Sequence, residues 1–133
     1  MSSDDKHQEL IRYWWSMAKE SLASAQREFE AETFNFAVNR LYYTVFYSAS
    51  AALLEKGLTF KKHTGVRAAF HREYIKSGKL KIEFGKLYDQ LFEDRQEGDY
   101  VPYISFEKDY VKQQLAQCSK FLKEIQPLIQ SIK

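Results

Sequence analysis

Apolar residues recur along this chain in steps of three and four, the signature of helices with one buried face. Ile11, Trp14, Trp15, Ala18, Leu22, Ala25 and Phe29 fall on one such face and predict a helix over residues 4–31. Ser3 suits its N-cap, and Asp4 and Asp5 suit the positive end of its dipole. A second helix is predicted over 34–56, between Thr33 as cap and Gly57 as stop. Its apolar residues, Phe36, Leu41, Tyr42, Tyr43, Val45, Phe46, Tyr47, Leu53 and Leu54, run nearly all the way round. Such a helix is central or lies at a subunit interface. Its small residues, from Ala49 through Ser50 and Ala51 to Ala52, allow a neighbour to approach closely.

A shorter third helix is predicted over 64–77, ending at Gly78, and a fourth over 81–97. Leu80, Phe84, Leu87, Tyr88, Leu91 and Phe92 form the stripe of the fourth; Gly98 and Pro102 mark 98–104 as a loop. The fifth helix starts near Ser105, a good cap, and carries a heptad-like seam of Val111, Leu115, Cys118, Leu122, Ile125, Ile129 and Ile132. Pro127 should kink or fray its last turns. Period-two alternation is absent. The expected fold is therefore all-α: an antiparallel four-helix bundle with an additional short helix, in one domain over 1–133.

Composition narrows the function classes. A formal net charge of +2 gives no global attraction to nucleic acid or membrane. The single cysteine, Cys118, cannot form an internal disulfide and falls on the fifth-helix seam, so a buried small hydrophobe in a reducing cytoplasm is expected. The N-terminus has no hydrophobic segment of the kind a signal peptide needs, and the apolar stretch 41–54, interrupted by Thr44, Ser48 and Ser50, is too short to span a bilayer. Charge is nonetheless segregated. Residues 61–81 hold seven Lys/Arg against one acid, whereas 83–109 hold eight acids against three Lys/Arg. Two readings follow: solvated surfaces that attract each other within or between chains, or a basic strip for phosphate backbones.

Arg95 stands out. Counting on from Phe84, Tyr88 and Leu91, it occupies the next position of the apolar stripe. A guanidinium keeps its proton and needs carboxylate, phosphate or solvent. With Glu97, Asp99 and Tyr100 close behind, it reads either as a brace for the 98–104 loop or as an anion clamp at a helix end. Arg40, with Asn39, interrupts the second helix in the same way, and Tyr43 and Tyr47 share its face. That patch reads as an internal polar network or dimer contact, or as a surface that stacks a base and holds a phosphate. His63 and His71 are eight apart, not the four of a helical metal pair, so neither a metal nor another cofactor is expected. His71 with Arg67 four residues earlier reads as an anion contact or as a solvated face.

The run Leu91-Phe-Glu-Asp-Arg-Gln-Glu-Gly-Asp-Tyr100 resembles the signature region of the HEPN family. Asn39-Arg-Leu-Tyr-Tyr-Thr-Val-Phe-Tyr47 on the second helix, and Lys62-His-Thr-Gly-Val-Arg-Ala-Ala-Phe-His71, match a small prokaryotic subgroup often filed as UPF0332. The resemblance spans about residues 8–125. It implies a helical bundle that homodimerises, and often a small nucleotidyltransferase encoded alongside as a toxin–antitoxin partner. Many members are metal-independent ribonucleases with an Arg, a polar residue, a short gap and a His. Carried over, Arg95 is the motif arginine and Gln96 the polar residue, but the histidine position holds Tyr100. A phenol with a pKa of about 10 is a poor base at neutral pH. The expectation is thus a module binding RNA or a nucleotide through Arg95, Gln96, Arg40, Tyr43 and Tyr47. The alternative is a divergent endoribonuclease toxin in which Arg95 stabilises phosphate charge and Asp99 or Tyr100 moves the proton.

Overall fold

A computed structural model describes residues 3–102 and 104–132, with side chains from residue 5 onward. It is all-α. Helix α1 (Ser3–Glu30) turns into α2 (Phe34–Glu55), followed by the short α3 (His63–Phe70), α4 (Ile82–Tyr100) and α5 (Lys108–Ile125). A π-helical turn (His71–Ile75) extends α3, and two 3-10 turns (Gln126–Leu128 and Gln130–Ile132) follow α5. The four long helices form the bundle, and α2 touches α1, α3, α4 and α5.

The nearly all-round apolarity of α2 has this cause: Leu41, Tyr42, Val45, Ala49, Ala52 and Leu53 are all buried among its four neighbours. Thr44 and Ser48 survive in that setting because their hydroxyls donate back to helix carbonyls, of Arg40 at 3.0 Å and of Thr44 at 2.8 Å. Cys118 is fully buried on the α5 seam, and burial pushes its thiol pKa well up, which makes it unreactive. No helix among the described residues is long and apolar enough to cross a membrane.

The ends of the elements differ from expectation in instructive ways. The side chain of Ser3, the expected cap of α1, lies outside the described ones, and the described helix already includes Ser3. Thr33 precedes α2 but gives it no side-chain cap bond; its hydroxyl donates to the Glu28 carbonyl at 2.9 Å and to the Glu28 carboxylate. The α1–α2 corner is instead closed by the backbone: Glu32 adopts φ 62° and the Thr33 N–H reaches the Glu28 carbonyl. Gly57, at φ 81°, closes α2 in the same Schellman geometry, with the Leu58 N–H on the Leu53 carbonyl. The third helix is α-helical only to Phe70. Its π turn carries Tyr74 to where its hydroxyl donates to the Ala52 carbonyl at 3.0 Å.

The consequential difference is in α4. It does not stop at residue 97 but runs through Gly98 to Tyr100. Phe106 packs against Gly98: a Cβ there would meet its ring at 3.4 Å. The glycine serves close packing of the returning chain rather than a turn. That chain is tied down by the Asn35 side-chain amide donating to the Ile104 carbonyl at 2.9 Å. Helix α5 consequently begins at Lys108, three residues beyond the expected Ser105. Its end matches expectation, since Pro127 sits in the first 3-10 turn after Ile125. At this end of the bundle a polar network is built on buried Asp94 and Gln114. Asp94 accepts from Gln90 at 2.8 Å and from the Tyr110 hydroxyl, which in turn accepts from Gln114 at 2.9 Å. Burial and the Asp94 carboxylate together push the Tyr110 phenol upward, so it holds its proton as the donor.

Candidate functional site

The α4 extension puts Arg95 well inside the helix, with Asp99 one turn on and facing the same way. Arg95 is therefore neither at a helix end nor pinned to a loop, as each sequence reading of it assumed. Its side chain is 21% exposed, and its guanidinium lies over two rings of α2, 4.9 Å from the Tyr42 centroid and 5.2 Å from that of Tyr43. Arg95 Nε stands 3.5 Å from Asp99 Oδ2, an ion-pair distance, yet this buried Nε makes no hydrogen bond. A buried guanidinium N–H without an acceptor is costly.

Arg95 opens on a cavity of about 720 Å³ between α1, α2 and α4. Helix α2 contributes Asn39, Arg40, Tyr43 and Tyr47, and α4 contributes Arg95 and Asp99. Helix α1 contributes Met17, Glu20, Ser21, Ala23, Ser24 and Arg27. Three arginines from three helices thus line one space. The acids there are Glu20 and Asp99, and among the described residues neither Arg27 nor Arg40 makes an ion pair. Tyr43 and Tyr47 pack with ring centroids 5.5 Å apart, and Tyr47 stacks on Trp14 of α1 at 5.4 Å. Burial raises the Tyr47 pKa, so its phenol stays neutral.

The cavity brings together Arg40, Tyr43, Tyr47, Arg95 and Asp99. Gln96 and Tyr100 do not line it; Gln96 is exposed and Tyr100 is 77% exposed. Sequence reading missed the α1 wall. The signal was present, since Met17, Ser21, Ser24 and Arg27 recur in helical steps beside the apolar face. It also passed over His63 except as a metal ligand. At the start of α3, His63 Nδ1 lies 3.0 Å from the Tyr42 hydroxyl, and its ring packs on Phe46 with centroids 4.0 Å apart. Tyr42 is fully buried, which raises its pKa to about 12; its phenol keeps its proton and donates to Nδ1. Burial first, and then the charge of Arg95, lower the His63 pKa, so the imidazole is neutral near pH 7.

The His71–Arg67 pair lies elsewhere and resolves differently. Both contact Asp89 Oδ1 at 2.9 Å, and Arg67 also covers the Phe92 ring at 4.1 Å. Here the basic and acidic segments do meet within one chain.

Comparison with known proteins adds the relatives. A family model described as HEPN domain matches residues 11–128. A UPF0332 protein of Thermotoga maritima is 43% identical over 129 residues, covering 97% of this chain and 98% of its own length. Two proteins of Methanocaldococcus jannaschii carry the names "Putative toxin MJ0142" and "Putative toxin MJ0605". They are 36% and 34% identical over 92 and 93 residues, covering 69% and 70% of this chain and 63% and 69% of their own lengths.

Proposed function

This chain belongs to the HEPN domain family, and from that premise we propose that it is a toxin-like module whose arginine cavity binds the phosphate of RNA or of a nucleotide. The observation that carries this reading is the convergence of Arg27, Arg40 and Arg95 on one cavity walled by Tyr43 and Tyr47. Guanidinium forks suit phosphate oxygens, and neutral aromatic rings beside them suit bases. Arg95 lines the cavity with a partly exposed guanidinium that can reach an acceptor there. The module works as a homodimer and with a small nucleotidyltransferase as the second component of a toxin–antitoxin-type pair. The toxin names of two relatives support a two-component setting. Phe36, Tyr100 and Val101 stay exposed near the corner tied by Asn35 and Ile104, and they offer apolar surface for a second copy.

Titration of a fluorescent single-stranded RNA by anisotropy tests the reading. Wild type should bind, and Arg27→Ala, Arg40→Ala and Arg95→Met should each weaken binding. If all three leave RNA, nucleotide and partner binding untouched, the cavity is not the site. The alternative, a divergent metal-independent endoribonuclease, is favoured by one observation: Asp99 lines the cavity beside Arg95 and can accept a proton. RNA cleavage with chelator present, lost in both Arg95→Met and Asp99→Asn, would establish it.

A further inference from the structure

A second cavity, of about 560 Å³, adjoins the arginine cavity and shares Tyr43 and Tyr47 with it as a common wall. The chemistry changes across that wall. Beyond it the lining is Leu10 and Trp14 of α1, Phe46, Leu53 and Leu54 of α2, and Phe60, His63 and Val66 further on, with Ser50 and Lys61 among the polar groups. The two cavities follow one face of α2, from Asn39 to Leu54, roughly 22 Å of helix rise. From Arg40 to Phe46 the rise is only about 9 Å. A cationic chamber thus opens directly beside an aromatic one of ligand size.

We infer that the aromatic cavity is a base subsite: a nucleotide unit, free or within single-stranded RNA, places its phosphate among the arginines and its base beside Phe46, Phe60 and His63. This rests on the phosphate reading above and extends it. A ligand that fills both chambers must join an anion to a flat, largely apolar group over a short span, and a nucleotide is such a molecule. His63 supplies the polar contact. Because the Tyr42 phenol donates to Nδ1, the proton of the neutral ring sits on Nε2, leaving an N–H donor for a base acceptor. Lys61 and Ser50 add further polar partners at the same cavity. Trp14, stacked on the shared wall residue Tyr47, reports from inside it.

The test compares AMP, adenosine, ribose 5-phosphate and inorganic phosphate by calorimetry, with tryptophan emission followed in a Trp15→Phe background so that Trp14 is the reporter. A stacked base should make AMP bind about tenfold or more tighter than ribose 5-phosphate, and AMP should perturb Trp14. Phe60→Ala, at a residue 38% exposed and so safe to trim, and His63→Gln should each erase most of that margin while leaving ribose 5-phosphate binding unchanged. A ten-residue oligoadenylate distinguishes the source. Tighter binding with a steeper salt dependence than AMP marks an RNA strand, and weaker binding than AMP marks a free nucleotide. Equal binding of AMP and ribose 5-phosphate, unaffected by Phe60→Ala, would overturn the base subsite while leaving the arginine cavity standing. Binding of none of the phosphate compounds would overturn both. Trp14 emission that changes on protein dilution and ignores AMP would overturn the subsite in favour of a second copy covering the pocket.

Discussion

Replacing Arg95 by methionine separates a binding residue from a structural brace. Methionine keeps an unbranched apolar stem, so packing against Tyr42 and Tyr43 is largely preserved. What is lost is the cation–π attraction to two rings, about 1–2 kcal/mol together, and an i,i+4 pair with Asp99 worth about 0.3–0.5 kcal/mol. What is relieved is a buried Nε without a hydrogen bond, a penalty of about 1–3 kcal/mol. These nearly cancel, so stability should change by no more than about 1 kcal/mol, a Tm shift within about 3–5 °C for a domain of this size. Phosphate binding should respond very differently. A charged hydrogen bond contributes about 1.5–3 kcal/mol, which converts to a loss of about 10- to 150-fold in affinity. Differential scanning fluorimetry and RNA anisotropy on the same preparations measure both. A Tm drop well beyond 5 °C with unchanged affinity would refute the reasoning and make Arg95 a brace.

Three further outcomes are expected. If the three cavity arginines each neutralise a phosphate of single-stranded RNA, the slope of log K against log salt should be on the order of −2, and Arg27→Ala should flatten it by about 0.7; an unchanged slope would remove Arg27 from the interface. The pKa of His63 is lowered in the folded chain, so the unfolded state binds more protons as pH falls below about 6.5. The stability contributed by the neutral imidazole is therefore complete above that pH and declines as pH falls towards the folded value; His63→Gln should flatten urea-derived stability between pH 7 and 5. In the α4–α5 network, Asp94→Ala leaves the half-buried Tyr110 hydroxyl without its acceptor, while exposed Gln90 turns to water, and should destabilise by about 1–3 kcal/mol. An Asp94→Ala/Tyr110→Phe cycle should show coupling of at least about 0.5 kcal/mol, and additivity would deny the network.

Local sequence determined much of this protein. The period of apolar residues specifies five helices, and the all-round apolarity of α2 specifies its central place, because only a helix contacted on every side can bury such residues. Arg95 and Arg40 were legible as candidates because a charge that interrupts an apolar stripe has to be accounted for. The two tyrosines followed from their helical spacing, and Asp99 only from its nearness to Arg95 in the chain. Tertiary structure decided the rest. Gly98 carries no local sign that it belongs within a helix; α4 passes through it, with Phe106, eight residues later, packed against its bare Cα. That extension turns Asp99 into the cavity and leaves Tyr100 outside. Arg27 reaches the site only because α1 returns antiparallel beside α2, and His63 meets Tyr42 across 21 residues of chain. Periodicity records which face of a helix is buried. It does not record which polar groups from different helices converge, because that depends on how the packed helices align.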